Sequence, residues 1–469
     1  MTWFPISYTK EARRLGILAG PLIVAQLSQM GMGVIDVVIA GRYGAVDLAG
    51  VGLGSSLFWP LTLLLTGTLM AVTPTVAQLH GANRTTETGP VARQALWMAL
   101  VLALLIFAVL QNVEPFFRWV NVNPAAIPIA SQYLGDFSYG VFAMLGYYVL
   151  KNLCEGLGFT LPSMVILLFA LAIKIPLTYV LVFGFGEFEG LGGIGCGRAN
   201  AIIMWFQLIC IVIAIQTTRI RLSKVFQKIE RPQFSTIFSL AKLGLPMGLT
   251  IFVEVSFFSV VTLLVGKLGV NAVASHQIAM SVGGLGFMIP LALGMASTIR
   301  VGTNIGAKRF HAARRSVVVA MTSSISVGLI VASILLFTRH QIVQLYSTNS
   351  EVVLLAAHLL LLCAIFQLFD SSQVTAVGSL RGAKDAKIPM LLATISYWLI
   401  GMPIGIVLAF GGFGFTGLGV VGFWYGMIIG LACASLLLVL RLRWVTNNLT
   451  VLSARFITMQ QAQKTLPVD

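Results

Sequence analysis

The sequence predicts an all-α polytopic membrane protein of twelve transmembrane helices arranged as two six-helix lobes. Three observations predict it. The 469 residues are 58% hydrophobic and only 10% charged, with a mean hydropathy of +0.93, more apolar surface than a water-soluble core of this length could enclose. Apolar runs of about twenty residues recur along the chain, each long enough to cross a hydrocarbon layer of roughly 30 Å as a helix. The second half also repeats the first. Helices are expected because a spanning backbone must satisfy its own hydrogen bonds, and the ten-residue alternation of a membrane barrel is absent.

Taken in order, the expected spans run over 15–40, 47–78, 88–112, 127–153, 161–185, 191–217, 239–266, 272–304, 312–337, 351–380, 386–411 and 416–442. The first follows Lys10, Arg13 and Arg14; it is longer than a secretory h-region, lacks a cleavage site and reads as a retained span. The expected domains are an N-terminal cytoplasmic tail over 1–14, an N-lobe over 15–217 and a basic cytoplasmic linker over 218–238. A C-lobe follows over 239–442, then a cytoplasmic tail over 443–469. The linker region carries Arg219, Arg221, Lys224, Lys228 and Arg231.

Charge sets the orientation. Of the 30 Lys and Arg residues, only Arg42, Arg118, Lys267 and Arg339 fall on the side opposite the termini, with Lys174 and Arg198 inside spans. The remainder share the side of both termini, which makes that side cytoplasmic. The net charge of +15 is thereby explained by loops facing anionic lipid, and nucleic acid is not expected as a partner. Cys154, Cys196, Cys210, Cys363 and Cys433 lie in or at the ends of spans without metal-ligand spacing, and read as unpaired packing residues.

Sliding the second half over the first at an offset of 225 matches Pro21 with Pro246, Gly41 with Gly266, Gly44 with Gly269 and Thr73 with Thr298. The register continues through the loops Gly81-Ala82-Asn83-Arg84 and Gly306-Ala307-Lys308-Arg309. At an offset of 227, Pro176 matches Pro403 and Gly190-Leu191-Gly192 matches Gly417-Leu418-Gly419. An even number of spans per repeat gives both halves one orientation, so the lobes are expected about a pseudo-two-fold axis along the membrane normal. Rocking around the cleft between them would give alternating access.

Of the 15 acidic residues most fall in loops or near span ends, but Asp36, Glu254 and Asp370 do not. A carboxylate at a helix centre costs about 2.5–3.5 kcal/mol on insertion scales, so each is a candidate functional group. Gln26, Gln29, Gly33 and Asp36 share one face of the first span, and Gln367, Asp370 and Gln373 form a similar stripe in the tenth. The glutamines can equally be read as hydrogen-bonding glue between helices. A carboxylate in such a cavity can take up a proton or, with oxygen neighbours, sodium, so Glu254 and Asp370 are a candidate H+ or Na+ site. Neutralising that charge would release a cationic substrate, which is the logic of antiport. Phe252, Phe257, Phe258, Phe287, Phe366 and Phe369, with Met280 and Met288, surround these positions with faces suited to organic cations.

With the tandem repeat and these motifs in view, the chain resembles the multidrug and toxic compound extrusion (MATE) family, in its bacterial NorM-like branch. The resemblance runs from about Leu15 to Arg443 and is carried by PLIVAQLSQMGMGVIDVVIAG (Pro21 to Gly41), KIPLTYVLVFG (Lys174 to Gly184), GLGGIGCG (Gly190 to Gly197), FVEVSFF (Phe252 to Phe258), STIRVG (Ser297 to Gly302) and FQLFDSSQ (Phe366 to Gln373). It implies a secondary multidrug efflux antiporter of the bacterial inner membrane, exporting cationic drugs and dyes, including fluoroquinolones, against inward sodium or protons. It places the cation-coupling carboxylates on Asp36, Glu254 and Asp370, and a polar cavity position on Gln277. Gln29, Phe258, Phe366 and Gln367 complete the expected substrate cavity. The chain is expected to act as a monomer in membrane lipid, without ATP or a cofactor.

One departure stands out. Where NorM-like sequences commonly show Asn-Ile-Pro followed by a second Asn, this chain has Lys174-Ile175-Pro176 and Thr178. Lys174 is expected either to pair with Asp36, displacing external sodium from the N-lobe, or to snorkel towards an interface; Arg198 is expected to snorkel.

Two other readings fit the sequence less well. A flippase of lipid-linked saccharides, in the same wider superfamily, should line its cavity with cations for a pyrophosphate group, whereas this interior is net acidic. An enzyme would need a nucleophile and base or a metal cluster, and His80, His276, His311, His340 and His358 are scattered without H-E-x-x-H spacing. A phosphate loop for ATP is absent.

Overall fold

A computed structural model describes residues 8–119, 124–412, 415–448 and 453. Its helices are α1 (Tyr8–Tyr43), α2 (Ala45–Gly81), α3 (Thr88–Gln111), α4 (Ile127–Gly156), α5 (Leu161–Phe183) and α6 (Ile194–Thr217) in the first half. The second half has α7 (Phe234–Val265), α8 (Val270–Gly306), α9 (Phe310–Tyr346), α10 (Ser350–Gly382), α11 (Lys387–Phe410) and α12 (Val420–Asn447). Each expected span has its helix, so the chain is an all-α polytopic membrane protein. Eleven of the twelve are long and apolar enough on their own to cross a membrane; α4 is diluted by Asp136, Lys151 and Glu155. The five cysteines are free.

Helix α1 overruns its apolar run, and the reason is pairing. Residues 8–14, expected as tail, are the first turns of α1, where Glu11 is buried and takes a bidentate bond from Arg300 at 2.9 and 2.7 Å, with the Ser316 hydroxyl donating at 2.6 Å. The remainder of that tail, 1–7, and all but residues 443–448 and 453 of the C-terminal tail lie outside the described residues.

Two compact units emerge, and their boundaries differ from the expected lobes. One is Val24–Gly248; the other joins Leu249 onward to the start of α1, through Ile23. Each half thus lends the first part of its leading helix to the other unit, and the exchange falls just after the matched prolines Pro21 and Pro246.

Inside each unit the same devices recur. Helices α2, α4, α8 and α10 each end in a Schellman turn, with Asn83, Gly158, Lys308 and Lys384 in the left-handed region. In each, the next two amides reach back to the helix, as in Asn83 N to His80 O at 3.0 Å and Arg84 N to Leu79 O at 2.9 Å. Small antiparallel hairpins follow α5 (Gly184–Phe185 with Phe188–Glu189) and α11 (Gly411–Gly412 with Phe415–Thr416). Helices α11 and α12 come together at glycines: a Cβ on Gly426 would stand 2.3 Å from the Gly405 Cα. Lipid supplies no hydrophobic drive to join helices, so such close backbone contact is how they associate.

The basic linker is clasped to α3. The Arg93 guanidinium donates to the carbonyls of Lys224 (2.7 Å) and Val225 (3.2 Å) and to Glu230 Oε1 (2.7 Å). Trp97 Nε1 donates to the Glu230 carbonyl at 2.9 Å, and Gln94 exchanges bonds with Arg231 O and Gln233 N. The Arg93 hydrogen bond holds the Glu230 carboxyl below its ordinary range against a smaller opposing effect of burial. A depressed carboxyl contributes stability above its unfolded value and loses it as pH falls through the folded one. The clasp should therefore be constant from pH 6 to 8 and open only below about pH 4. Arg93→Ala should speed tryptic cleavage after Lys228 several-fold at neutral pH; unchanged cleavage would contradict the clasp.

Candidate functional site

In the Val24–Gly248 unit, Asp36 stands late in α1 and is 7% exposed. Lys174, on α5 and 1% exposed, places Nζ 2.8 Å from Asp36 Oδ2 and donates to Asn200 Oδ1 at 2.7 Å. The Asn200 amide on α6 in turn donates to Asp36 Oδ2 at 2.8 Å. Three helices thus close one triangle of charge-assisted bonds. Asp36 Oδ1 has no partner and is buried. Lys174 does not snorkel because the carboxylate and the amide oxygen satisfy it in place.

This triangle forms part of the wall of a cavity of about 410 Å³ within the unit. Gln29 and Gly33 of the predicted stripe line it too, with Phe58, Trp59 and Phe137 and the methionines Met30, Met32, Met144 and Met204. Phe58 and Phe137 have ring centroids 4.1 Å apart. The sequence points to aromatic and methionine surface only in the second half; the signal for this cavity is the spread of Met and aromatic residues over α1, α2, α4 and α6. Arg198, expected to snorkel, pairs with Asp136 at 2.9 Å.

In the other unit, Glu254 is half-buried in mid-α7, and Asp370 is 3% exposed on α10. Neither forms an ion pair among the described residues. Gln367 and Gln373, both 1% exposed, flank Asp370. Gln367 Nε2 donates to Gly283 O at 2.7 Å, leaving its Oε1 buried and unpartnered, as is Gln373 Oε1. Phe258 and Phe366 meet edge to face at 5.8 Å, and Phe366 meets Trp424 at 6.2 Å. Gln277 is exposed on α8; its neighbour His276 is the buried one, bonded to Thr262 Oγ1 at 2.9 Å and to Trp424 Nε1 at 3.2 Å. Tyr397 was not anticipated: its hydroxyl lies 3.4 Å from Glu254 Oε1.

The two units therefore differ in charge balance. Asp36 carries its own counter-cation, and Glu254 and Asp370 form no ion pair among the described residues. Removing only the cation of a buried pair leaves a charge uncompensated and costs about 3–5 kcal/mol, while neutralising both partners costs far less. Lys174→Met alone should lower the melting temperature in detergent markedly, and Asp36→Asn added to it should restore most of the loss. Equal destabilisation in the single and double variants would contradict the pairing.

Comparison with known proteins agrees with this architecture. The MatE family model matches residues 21–180 and again 246–407, once per half, with starts 225 residues apart and ends 227 apart. Multidrug resistance protein PmpM of Pseudomonas aeruginosa is 41% identical over 434 residues, 92% of this chain and 91% of its own length. Multidrug resistance protein MdtK of Yersinia pestis is 40% identical over 452 residues, covering 94% and 97%. The fold matches the crystal structure of the eukaryotic MATE transporter AtDTX14 with a TM-score of 0.86 at 22% identity, over 97% of this chain and 99% of that one. An outward-facing multidrug resistance MATE family transporter matches at 0.85 and 19% identity, over 94% and 97%. The chain belongs to the MatE family of membrane transporters.

Proposed function

We propose that this protein is a secondary multidrug efflux antiporter that exports organic cations in exchange for inward protons or sodium, by alternating access. The observation that carries the reading is the acidic pair Glu254 and Asp370, held in mid-span beside Phe258 and Phe366 with no ion pair of its own. A transmembrane carboxylate without a counter-ion favours binding a cation, and a proton, sodium and a drug ammonium compete for it. The electrical part of the gradient supplies about 2.3 kcal/mol per charge per 100 mV, without ATP or a cofactor. The names of the relatives, both multidrug resistance proteins, support small-molecule drugs as substrates. In this reading Asp36, already neutralised by Lys174, lines a drug-facing wall with Gln29 and does not bind the coupling ion. The protein acts as a monomer in the bacterial inner membrane with both termini cytoplasmic, on the distribution of Lys and Arg.

Reconstituted in liposomes, the protein should move a cationic dye under an imposed proton or sodium gradient, and the effective gradient names the ion. Glu254→Gln and Asp370→Asn should each lower gradient-driven transport at least tenfold at unchanged protein content. Transport without a gradient, or retained in both variants, would overturn the proposal; lack of dye movement with lipid-linked saccharide translocation would favour a flippase.

A further inference from the structure

One of the residues that the second half carries and the first lacks can be located in the structure. Left-handed Gly158 and Lys384 close matching turns 226 residues apart, whereas Gly184 and Gly411, which end the next helices, are 227 apart. The extra residue must lie between them. In the first half this stretch, within α5, is continuous α-helix, Leu161–Phe183. In the second, α11 contains a π-helical segment, Ile395–Gly401, with the Met402 amide bonded to the Tyr397 carbonyl five residues back. A π-turn is how a helix absorbs one inserted residue without shifting the packing on either side, and such turns concentrate at functional sites.

The π-segment faces α7 at Glu254. Tyr397 is fully buried, its ring stacked on Phe257 at 5.3 Å and its hydroxyl 3.4 Å from Glu254 Oε1. Trp398 Nε1 donates to the carbonyl of Val253 at 3.2 Å. Glu254 itself is new to the second half, since its match in the first is Gln29 at the offset of 225. The insertion and the carboxylate it faces thus occur together.

We propose that Tyr397, presented by this inserted turn, is a positioning residue that donates a hydrogen bond to the Glu254 carboxylate and sets the pH at which that carboxylate exchanges its cation. The proposal rests on Glu254 being the coupling group. The 3.4 Å separation is long for a formed O–H···O bond, which runs near 2.7 Å, and a small rotation of either side chain closes it. The other groups acting on Glu254 are Gln373, Arg381 and Asp370 from α10. His276 on α8 is engaged two turns away with Thr262 and Trp424.

The test is dye transport by proteoliposomes as a function of pH in wild type, Tyr397→Phe, Trp398→Phe and Glu254→Gln. The phenylalanine ring keeps the stack on Phe257 and removes only the donor. Without that donor the carboxylate holds a proton more tightly, so the midpoint of the profile in Tyr397→Phe should move about one pH unit to the alkaline side. Because the proton competes for the same carboxylate, this holds for proton or sodium coupling. Trp398→Phe, which loosens the same turn without touching the phenol, should keep the wild-type midpoint. A wild-type midpoint in Tyr397→Phe, or an equal shift in Trp398→Phe, overturns the role of Tyr397. Full transport in Glu254→Gln would instead overturn the assignment of Glu254, so the two failures are told apart.

Discussion

The structure depends on what a charge costs inside a hydrocarbon layer. An ionised side chain there needs a partner or a transient cation, because lipid offers neither water nor counter-ions. Most charged groups in and near the spans obey by pairing. Glu11 takes Arg300, Asp36 takes Lys174, Asp136 takes Arg198, and Arg441 meets Asp385 at 2.9 Å. Glu254 and Asp370 stand apart from this pattern in mid-span. Neither has a charged partner in direct contact among the described residues, which is why the proposed coupling site is placed there.

Duplication gave the protein two copies of one backbone, and substitution divided the chemistry between them. The shared backbone is visible in the four Schellman turns and the two hairpins, which recur at offsets of 225 to 227. The chemistry is complementary. Lys174 matches Gly401 at the offset of 227, and the glycine lets α11 lie against α12, with Gly430 Cα 3.1 Å from where a Cβ would stand. Asp36 matches Val261 and Glu254 matches Gln29 at 225. One unit therefore holds a lysine in direct contact with its carboxylate, whereas Glu254 and Asp370 form no ion pair among the described residues, and the cation acting on Glu254 is Arg381 of α10. In the proposed antiport, fixing one carboxylate with lysine would leave a single exchange centre.

Much of this was legible in the sequence, for a physical reason. Apolar runs dictate spans because lipid excludes anything else, so each of the twelve has its helix, although α1 begins at Tyr8 and α9 runs on to Tyr346. The helix ends were less legible, since Glu11 is held by Arg300, a contact between distant positions that no local pattern announces. Asp36, Glu254 and Asp370 were conspicuous as acids in apolar surroundings, and Lys174 as a base among them. Asn200 and Tyr397 were not, because an amide or a phenol within a span costs little enough to pass as ordinary packing. The π-turn left a faint trace, the change of repeat offset, whose position only the backbone geometry could fix.

The central claim is that the ion exchanged for the drug sits on the Glu254 and Asp370 pair and not on Asp36. Proton or sodium release on binding a cationic dye to the purified protein measures this directly, with protons counted by calorimetry in buffers of different ionisation enthalpy and sodium by its dependence on salt. The account predicts release in wild type, the same release when Asp36 and Lys174 are replaced together by Asn and Met, and none when Glu254 and Asp370 are replaced by Gln and Asn. Release that disappears with the Asp36 and Lys174 replacement and survives the other would contradict it.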